Sequence, residues 1–150
     1  MRSPRRIKYV EALLQAGAVE SARTQLAALT QQAPDFLPAL IVQMNLDYRE
    51  QRYAESGKAA ETILERDPTN HDALSQRAAV RIAQGDIDGA IGALNMMEGV
   101  YAQSPLVKYR LAHAQLRKGD VALAEENLRK ALQLSPNYDE AIVLLAELNV

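Results

Sequence analysis

The stretch that decides the fold runs from Pro105 to Tyr138 and reads PLVKYRLAHAQLRKGDVALAEENLRKALQLSPNY. Its apolar residues recur every three or four positions on both sides of Gly119-Asp120, which is the spacing of two amphipathic helices rather than of strands. Shifting this pattern back by multiples of 34 residues places Gly119 on Gly85, Gln51 and Gly17, and Pro136 on Ala102, Pro68 and Pro34. A fixed period of this length predicts a helical solenoid built from stacked helix pairs.

The period divides the chain into four predicted helix-turn-helix units and one terminal helix. These segments are 3–36, 37–70, 71–104, 105–138 and 139–150. We therefore expect nine helices, no strand and an all-α fold. The second unit departs furthest from the pattern, because Gln51 replaces the turn glycine and Ser56 stands where the other units have alanine. The helical pattern continues to the last residue, so we expect this chain to be a fragment of a longer repeat protein.

Composition limits the classes of partner. The chain has 150 residues, 48% of them hydrophobic, and its formal net charge of −2 lacks the basic excess of a nucleic-acid-binding domain. Cysteine is absent, which excludes disulfides, thiolate metal sites and cysteine nucleophiles. The apolar runs are far shorter than the roughly 20 residues that a transmembrane helix needs. No signal peptide is recognisable at the start, and both cytoplasm and periplasm stay open as locations.

The sequence offers no catalytic constellation. His71 and His113 are separated by more than one repeat, which is not a metal-ligand spacing. Glu125 and Glu126 are consecutive helical residues that point about 100° apart, so they do not form a catalytic carboxylate pair. We predict that the protein is not an enzyme and has no metal or other cofactor.

The chain resembles the tetratricopeptide repeat family. That family places small residues at repeat positions 8, 20 and 27, glycine at 15, a bulky residue at 24 and proline at 32. The fourth unit matches with Ala112, Ala124, Ala131, Gly119, Leu128 and Pro136. The resemblance implies a right-handed superhelix whose first helices line a concave groove, where members of the family hold peptides or partner proteins.

Applied to the second, third and fourth units, the resemblance nominates groove residues near repeat positions 2, 5, 6, 9, 12 and 13. The predicted partner-binding residues are Asn45, Tyr48, Arg49, Gln76, Tyr109, Arg110, His113 and Arg117, with Ser75 and Leu116 beside them. Tyrosine and arginine are frequent at binding hot spots. The sequence therefore predicts a protein or peptide partner, held mainly by the first helix of the fourth unit.

One subclass of the family binds the C-terminal carboxylates of chaperones through lysines, asparagines and an arginine. Asn45 and Arg110 occupy two of those positions, and Gln76 replaces an asparagine. Ile41 and Leu106 stand where the two lysines belong. A chaperone-tail receptor is thus disfavoured.

Local chemistry predicts how the helices begin and pack. Ser104 before Pro105, and the aspartates of Gly85-Asp86 and Gly119-Asp120, are expected to cap helix N-termini. Small residues are expected where the two helices of a unit meet: Ala22, Ala78, Ala90, Ala112, Ala124 and Ala146. Asp47 and Arg81 hold equivalent positions in adjacent units, so we expect either an ion pair between them or loose packing of this region.

Two further hypotheses concern context. Ile142, Leu145 and Leu148 on the last helix have no following helix to cover them, so the alternative function is self-association into a homo-oligomer, which light scattering at several concentrations would detect. The run from Tyr101 to Ala112 is similar to segments of bacterial repeat lipoproteins associated with exosortase (PEP-CTERM) systems. That weaker resemblance implies a role in a bacterial envelope or exopolysaccharide export system.

Overall fold

A computed structural model describes residues 3–150 of the chain. These residues form nine α-helices and no strand, so the predicted all-α class is confirmed. The helices are α1 (Ser3–Gln15), α2 (Val19–Gln32), α3 (Leu37–Arg49), α4 (Tyr53–Arg66), α5 (His71–Ala83), α6 (Ile87–Val100), α7 (Pro105–Lys118), α8 (Val121–Leu134) and α9 (Asp139–Leu148). Consecutive helices are joined by connections of only a few residues, as expected for repeated helical hairpins.

The chain divides into two compact units, one ending at Gln76 and the other beginning at Arg77, so the division falls inside α5. In the first compact unit, α1 packs on α2, and α3 packs on α4. In the second compact unit, α7 packs on α6 and α8, and α8 packs on α9. Each helix thus contacts mainly its neighbours in the chain, which is the packing pattern of a repeat protein.

Small residues lie at the close contacts between helices, as predicted. Ala22, Ala78, Ala90, Ala112 and Ala124 are all buried. In the second unit, Ala112 and Ala124 join Leu128, Ala131 and Ala141 in one core cluster. Ala146 is exposed instead, since none of the described helices covers this position of α9.

The four predicted turns share one backbone conformation. Gly17, Gly85 and Gly119 have φ angles of 77°, 81° and 94°, and Gln51 has the same left-handed conformation at 62°. After each of them, the next residue's N–H donates to a carbonyl in the last turn of the preceding helix, as Arg52 does to Asp47 at 2.8 Å and Asp120 to Gln115 at 2.9 Å. This is the Schellman arrangement that ends a helix. Gln51 therefore adopts a conformation that suits glycine.

We expect Gln51→Gly to stabilise the protein. A left-handed backbone costs a non-glycine residue about 1–2 kcal/mol, and glycine loses about 0.5–1 kcal/mol more entropy on folding. The free energy of unfolding should therefore rise by about 0.5–1 kcal/mol, measured by urea denaturation followed by far-UV circular dichroism. The matched control is Gly119→Gln, which should lower stability. A Gln51→Gly protein no more stable than the parent would show that the strain at Gln51 does not exceed the entropic cost of glycine.

Two of the three predicted helix caps are confirmed. The Ser104 hydroxyl accepts a hydrogen bond from Val107 N–H at 3.3 Å, and the Asp86 carboxylate accepts one from Gly89 N–H at 2.9 Å. Asp120 precedes α8, but its side chain makes no capping bond, so this prediction was wrong. Its carboxylate acts on Lys118 instead: a hydrogen bond to Asp88 raises the pKa of the Lys118 ammonium, and the charge of Asp120 adds to that increase.

Asp47 and Arg81 each have an ion-pair partner other than the one predicted. The buried carboxylate of Asp47 lies 3.6 Å from the Arg23 guanidinium and 3.5 Å from that of Arg52. Arg81 lies 3.6 Å from Asp86. Asp47 thus finds its positive charges on α2 and in the turn after α3, within its own compact unit.

Candidate functional site

The first compact unit contains a cleft between α1 and α3. It has a volume of about 490 Å³ and is lined by Glu11, Leu14, Gln15, Val42, Asn45, Leu46 and Arg49. Aliphatic side chains contribute apolar surface, while Glu11 and Arg49 supply opposite charges. Such a surface suits a short peptide segment that combines apolar and polar groups.

The second compact unit contains a comparable cleft between α7 and α9. Its volume is about 410 Å³, and it is lined by Tyr109, His113, Asp139, Glu140, Val143, Leu144 and Glu147. Glu140, Val143, Leu144 and Glu147 follow the i, i+3, i+4, i+7 spacing that places residues on one face of a helix. Tyr109 and His113 are one turn apart on α7. The clefts in both units are therefore formed by the first helices of successive repeats.

An aromatic cluster borders the second cleft. The ring of Tyr109 lies 5.5 Å from that of Tyr138 in an edge-to-face arrangement, and 6.3 Å from the ring of His113. Edge-to-face is one of the two geometries that aromatic pairs prefer. Burial raises the pKa of the Tyr138 phenol, the nearby Glu140 carboxylate raises it further, and the positive charge of Arg110 opposes this increase. Charges on α7 and α9 therefore both act on the aromatic cluster.

The structure brings four of the predicted site residues into cleft linings. Asn45 and Arg49 share the first cleft, and Tyr109 and His113 share the second. The other four do not line either cleft. Tyr48 packs edge-to-face on Tyr53 at 5.4 Å.

The remaining three predicted residues lie on α5 and α7. Gln76 is half-buried, and its amide nitrogen has no hydrogen-bond partner in the described part of the chain. Arg110 is also half-buried, whereas Arg117 is exposed in the last turn of α7.

Sequence reasoning missed the cleft residues of α1 and α9. Glu11 and Gln15 stand at repeat positions 9 and 13, and Glu140 and Glu147 at positions 2 and 9. The family's groove positions were considered only in the second, third and fourth predicted repeats. The same positions in the first predicted repeat and in the terminal helix correspond to these four residues.

No helix within residues 3–150 combines the length and the apolar character required to cross a bilayer. In the same range, no group of three or more His, Asp or Glu side chains is arranged to hold a metal ion.

Comparison with known proteins identifies the fold. Residues 105–138 match the tetratricopeptide repeat family, over the same stretch that decides the helical pattern. MamA of RS-1, in an ArsTM double mutant, superposes with a TM-score of 0.84 at 16% identity, covering 98% of this chain and 83% of that one. The chain therefore contains a tetratricopeptide repeat and has the solenoid fold of tetratricopeptide repeat proteins.

Two further similarities concern proteins with named associations. The first repeat domain of Spaghetti (RPAP3), bound to the HSP90 peptide SRMEEVD, gives a TM-score of 0.69 at 18% identity over 75% of this chain and 90% of that one. A protein of Escherichia coli O157:H7 designated cellulose synthase operon protein C is 31% identical over 96 residues, or 61% of this chain. The chain spans only 8% of the length of that relative.

Proposed function

We propose that the chain is a non-enzymatic interaction scaffold that binds a peptide or a segment of a partner protein in the clefts between successive first helices. The observation that carries this proposal is the repetition of the cleft. Each compact unit has one of about 400–500 Å³ between the first helices of successive repeats, and both clefts include repeat position 9 of the two helices and position 6 of the second. The structural similarity to a repeat domain bound to the HSP90 peptide supports it.

The chemistry of the clefts also favours peptide recognition over catalysis. Both combine aliphatic surface with a few polar side chains, among them Asn45 and Arg49 in one and Tyr109 and His113 in the other. Apolar surface supplies binding free energy, and the polar groups fix orientation. The broken chaperone clamp, with Ile41 and Leu106 at the lysine positions, argues that the segment differs from an acidic chaperone tail.

Selection of peptides from a random phage-displayed library tests this function without assuming a partner. We expect the selected peptides to lose about tenfold in affinity when Arg49→Ala or His113→Ala removes a polar group from one cleft, because truncating an interface anchor typically costs more than about 1 kcal/mol. Lys58→Ala on α4 and Lys130→Ala on α8 are matched controls outside the clefts and should change affinity less than twofold. Peptides insensitive to both cleft variants would contradict the proposal.

A role in exopolysaccharide synthesis or export is the biological context that we propose for this scaffold. The similarity to the protein designated cellulose synthase operon protein C supports it, as does the resemblance of the Tyr101–Ala112 run to segments of envelope repeat lipoproteins. Within such a system the chain would position a partner protein. The neighbouring genes and the full-length reading frame test this context, since a polysaccharide synthase or export gene is expected beside it.

Self-association stays the second candidate. Ile142 is 43% exposed, whereas Leu145 and Leu148 are half-buried because they pack against the core of the second unit. Only part of the predicted apolar face is therefore open to a second copy.

A further inference from the structure

The carboxylates of α9 have no ion-pair partner, in contrast to most acidic residues of the second compact unit. Five acidic residues of that unit are ion-paired. They are Asp86 with Arg81, Asp88 with Lys118, Glu98 with Lys108, Glu125 with Arg129 and Glu126 with Lys130. Within residues 3–150, Asp139, Glu140 and Glu147 have no Lys, Arg or His within ion-pair distance. Apart from Asp120, whose charge acts on Lys118, the acidic residues of this unit that lack an ion pair thus lie together on one wall of the second cleft.

The sequence around α9 contributes to this imbalance. Residues 131–150 contain these three acidic residues and no Lys, Arg or His. Asp139 and Glu140 lie in the first turn of α9, where the helix dipole favours negative charge. Glu147 lies near the C-terminal end, where the dipole disfavours it. Helix stability therefore accounts for the first two acidic residues and not for Glu147.

The second cleft is lined by aliphatic and aromatic side chains next to the acidic ones. Val143 is 57% exposed and lies between Glu140 and Glu147 on the same helix face, next to the half-buried Leu144. Tyr109 on α7 presents an aromatic ring to the same cleft. Aromatic rings attract guanidinium and ammonium groups through cation–π interaction. The lining is therefore complementary to cationic and aliphatic side chains together.

The distance between Glu140 and Glu147 limits the kind of peptide segment that can bind in the second cleft. Glu140 and Glu147 are seven residues apart, which is about 10 Å along a helix. An extended peptide covers that distance in about three residues. Because successive side chains of an extended peptide point to opposite faces, two basic side chains four positions apart, with an aliphatic residue midway, lie on one face about 13 Å apart. Their flexible stems can bring one cation near each carboxylate.

We propose that the cleft between α7 and α9 selects a cationic segment of a partner protein, with Lys or Arg side chains at Glu140 and Glu147 and an aliphatic side chain on Val143 and Leu144. This inference rests on the proposed function of the clefts and adds the charge of the segment. The HSP90 peptide SRMEEVD held by the RPAP3 domain carries three acidic side chains. The segment bound here has the opposite charge.

The test uses fluorescein-labelled peptides and the whole chain. The cationic probe carries two arginines four positions apart with a leucine midway between them. A second peptide has glutamate for each arginine, and a third has serine for the leucine. Fluorescence anisotropy should show the cationic probe binding about tenfold more tightly than either of the others, and more weakly as salt screens the charges.

Two protein variants with the same change in net charge locate the binding. Glu140→Gln with Glu147→Gln removes carboxylates from the cleft, and Glu125→Gln with Glu126→Gln removes two from α8. The cleft variant should bind the cationic probe about tenfold more weakly, while the α8 variant should stay within twofold. Circular dichroism verifies that both variants remain helical.

The inference is overturned if the cationic probe does not bind, if the glutamate peptide binds as tightly, or if both protein variants lose affinity equally. The proposed function is judged separately. Peptides of any charge from the phage library that require Arg49 or His113 would uphold the clefts as peptide sites even after the charge preference had been disproved. Library peptides that ignore both residues would contradict the proposed function itself.

Discussion

Replacing Leu128 by alanine is expected to lower the free energy of unfolding by about 2–5 kcal/mol. Leu128 is fully buried on α8, where it packs with Ala112, Ala124, Ala131 and Ala141. Its truncation removes apolar contacts and leaves a cavity that alanine neighbours are too small to fill. Because repeat proteins are stabilised by contacts between neighbours, α9 should lose support as well. Urea denaturation monitored by circular dichroism measures the change.

Leu123→Ala is the matched control for this substitution. Leu123 lies on the same helix and is 46% exposed, so its truncation should change stability by no more than about 0.5 kcal/mol. If the two variants unfolded at the same urea concentration, Leu128 would not be a core residue and the packing of α8 on α7 and α9 would be wrong.

Replacing Ala124 by phenylalanine is expected to cost about 1–3 kcal/mol through overpacking. Ala124 is fully buried at the contact between α7 and α8, in the same cluster as Ala112. A benzyl group there can be accommodated only if the two helices separate or if neighbouring side chains leave their preferred rotamers. The melting temperature should fall by several degrees, since about 1 kcal/mol corresponds to roughly 2–4 °C in a chain of this size.

Ala122→Phe provides the comparison on the same helix. Ala122 is exposed, so the larger side chain meets solvent there rather than the facing helix. A melting temperature unaffected by Ala124→Phe would show that α7 and α8 are not paired as the structure describes.

The fold was largely predictable from the sequence because one period governs it. The spacing of Gly17, Gly85 and Gly119 fixed the helix pairs, and the helical spacing of apolar residues fixed the buried faces. The Asp120 cap was the exception. Asp86 and Asp120 hold the same repeat position, yet only Asp86 caps its helix, while Asp120 acts electrostatically on Lys118. Side-chain choices among competing local partners are not encoded in repeat position alone.

The candidate site was predictable to the extent that the repeat rule was applied. Asn45, Arg49, Tyr109 and His113 were nominated from repeat position, and each lines a cleft. The acidic wall formed by Glu140 and Glu147 was not nominated, because α9 was treated as an uncovered apolar end. Its charge becomes significant only when the cleft is known and when Glu140 and Glu147 are seen to lack ion-pair partners within residues 3–150.

Asp47 shows why polar contacts were harder to predict. Its equivalence to Arg81 suggested a pairing along the repeat axis. The structure instead places Asp47 beside Arg23 on α2 and Arg52 in the following turn. A buried carboxylate pairs with the cations that its own packing brings within reach, and long arginine side chains reach it from several positions. Position in a periodic pattern does not specify that geometry.

The left-handed residue shared by all four turns has a practical consequence for protein engineering. Gln51 has the same left-handed backbone conformation as Gly17, Gly85 and Gly119. The first helix of each of these four hairpins therefore ends in the same type of turn, whichever residue lies there. Because these turns have the same conformation, whole repeats should be exchangeable with one another. An array lengthened by a duplicated 105–138 segment would keep the 34-residue period and gain one more helical hairpin. The length of the proposed binding surface could then be adjusted in steps of one repeat.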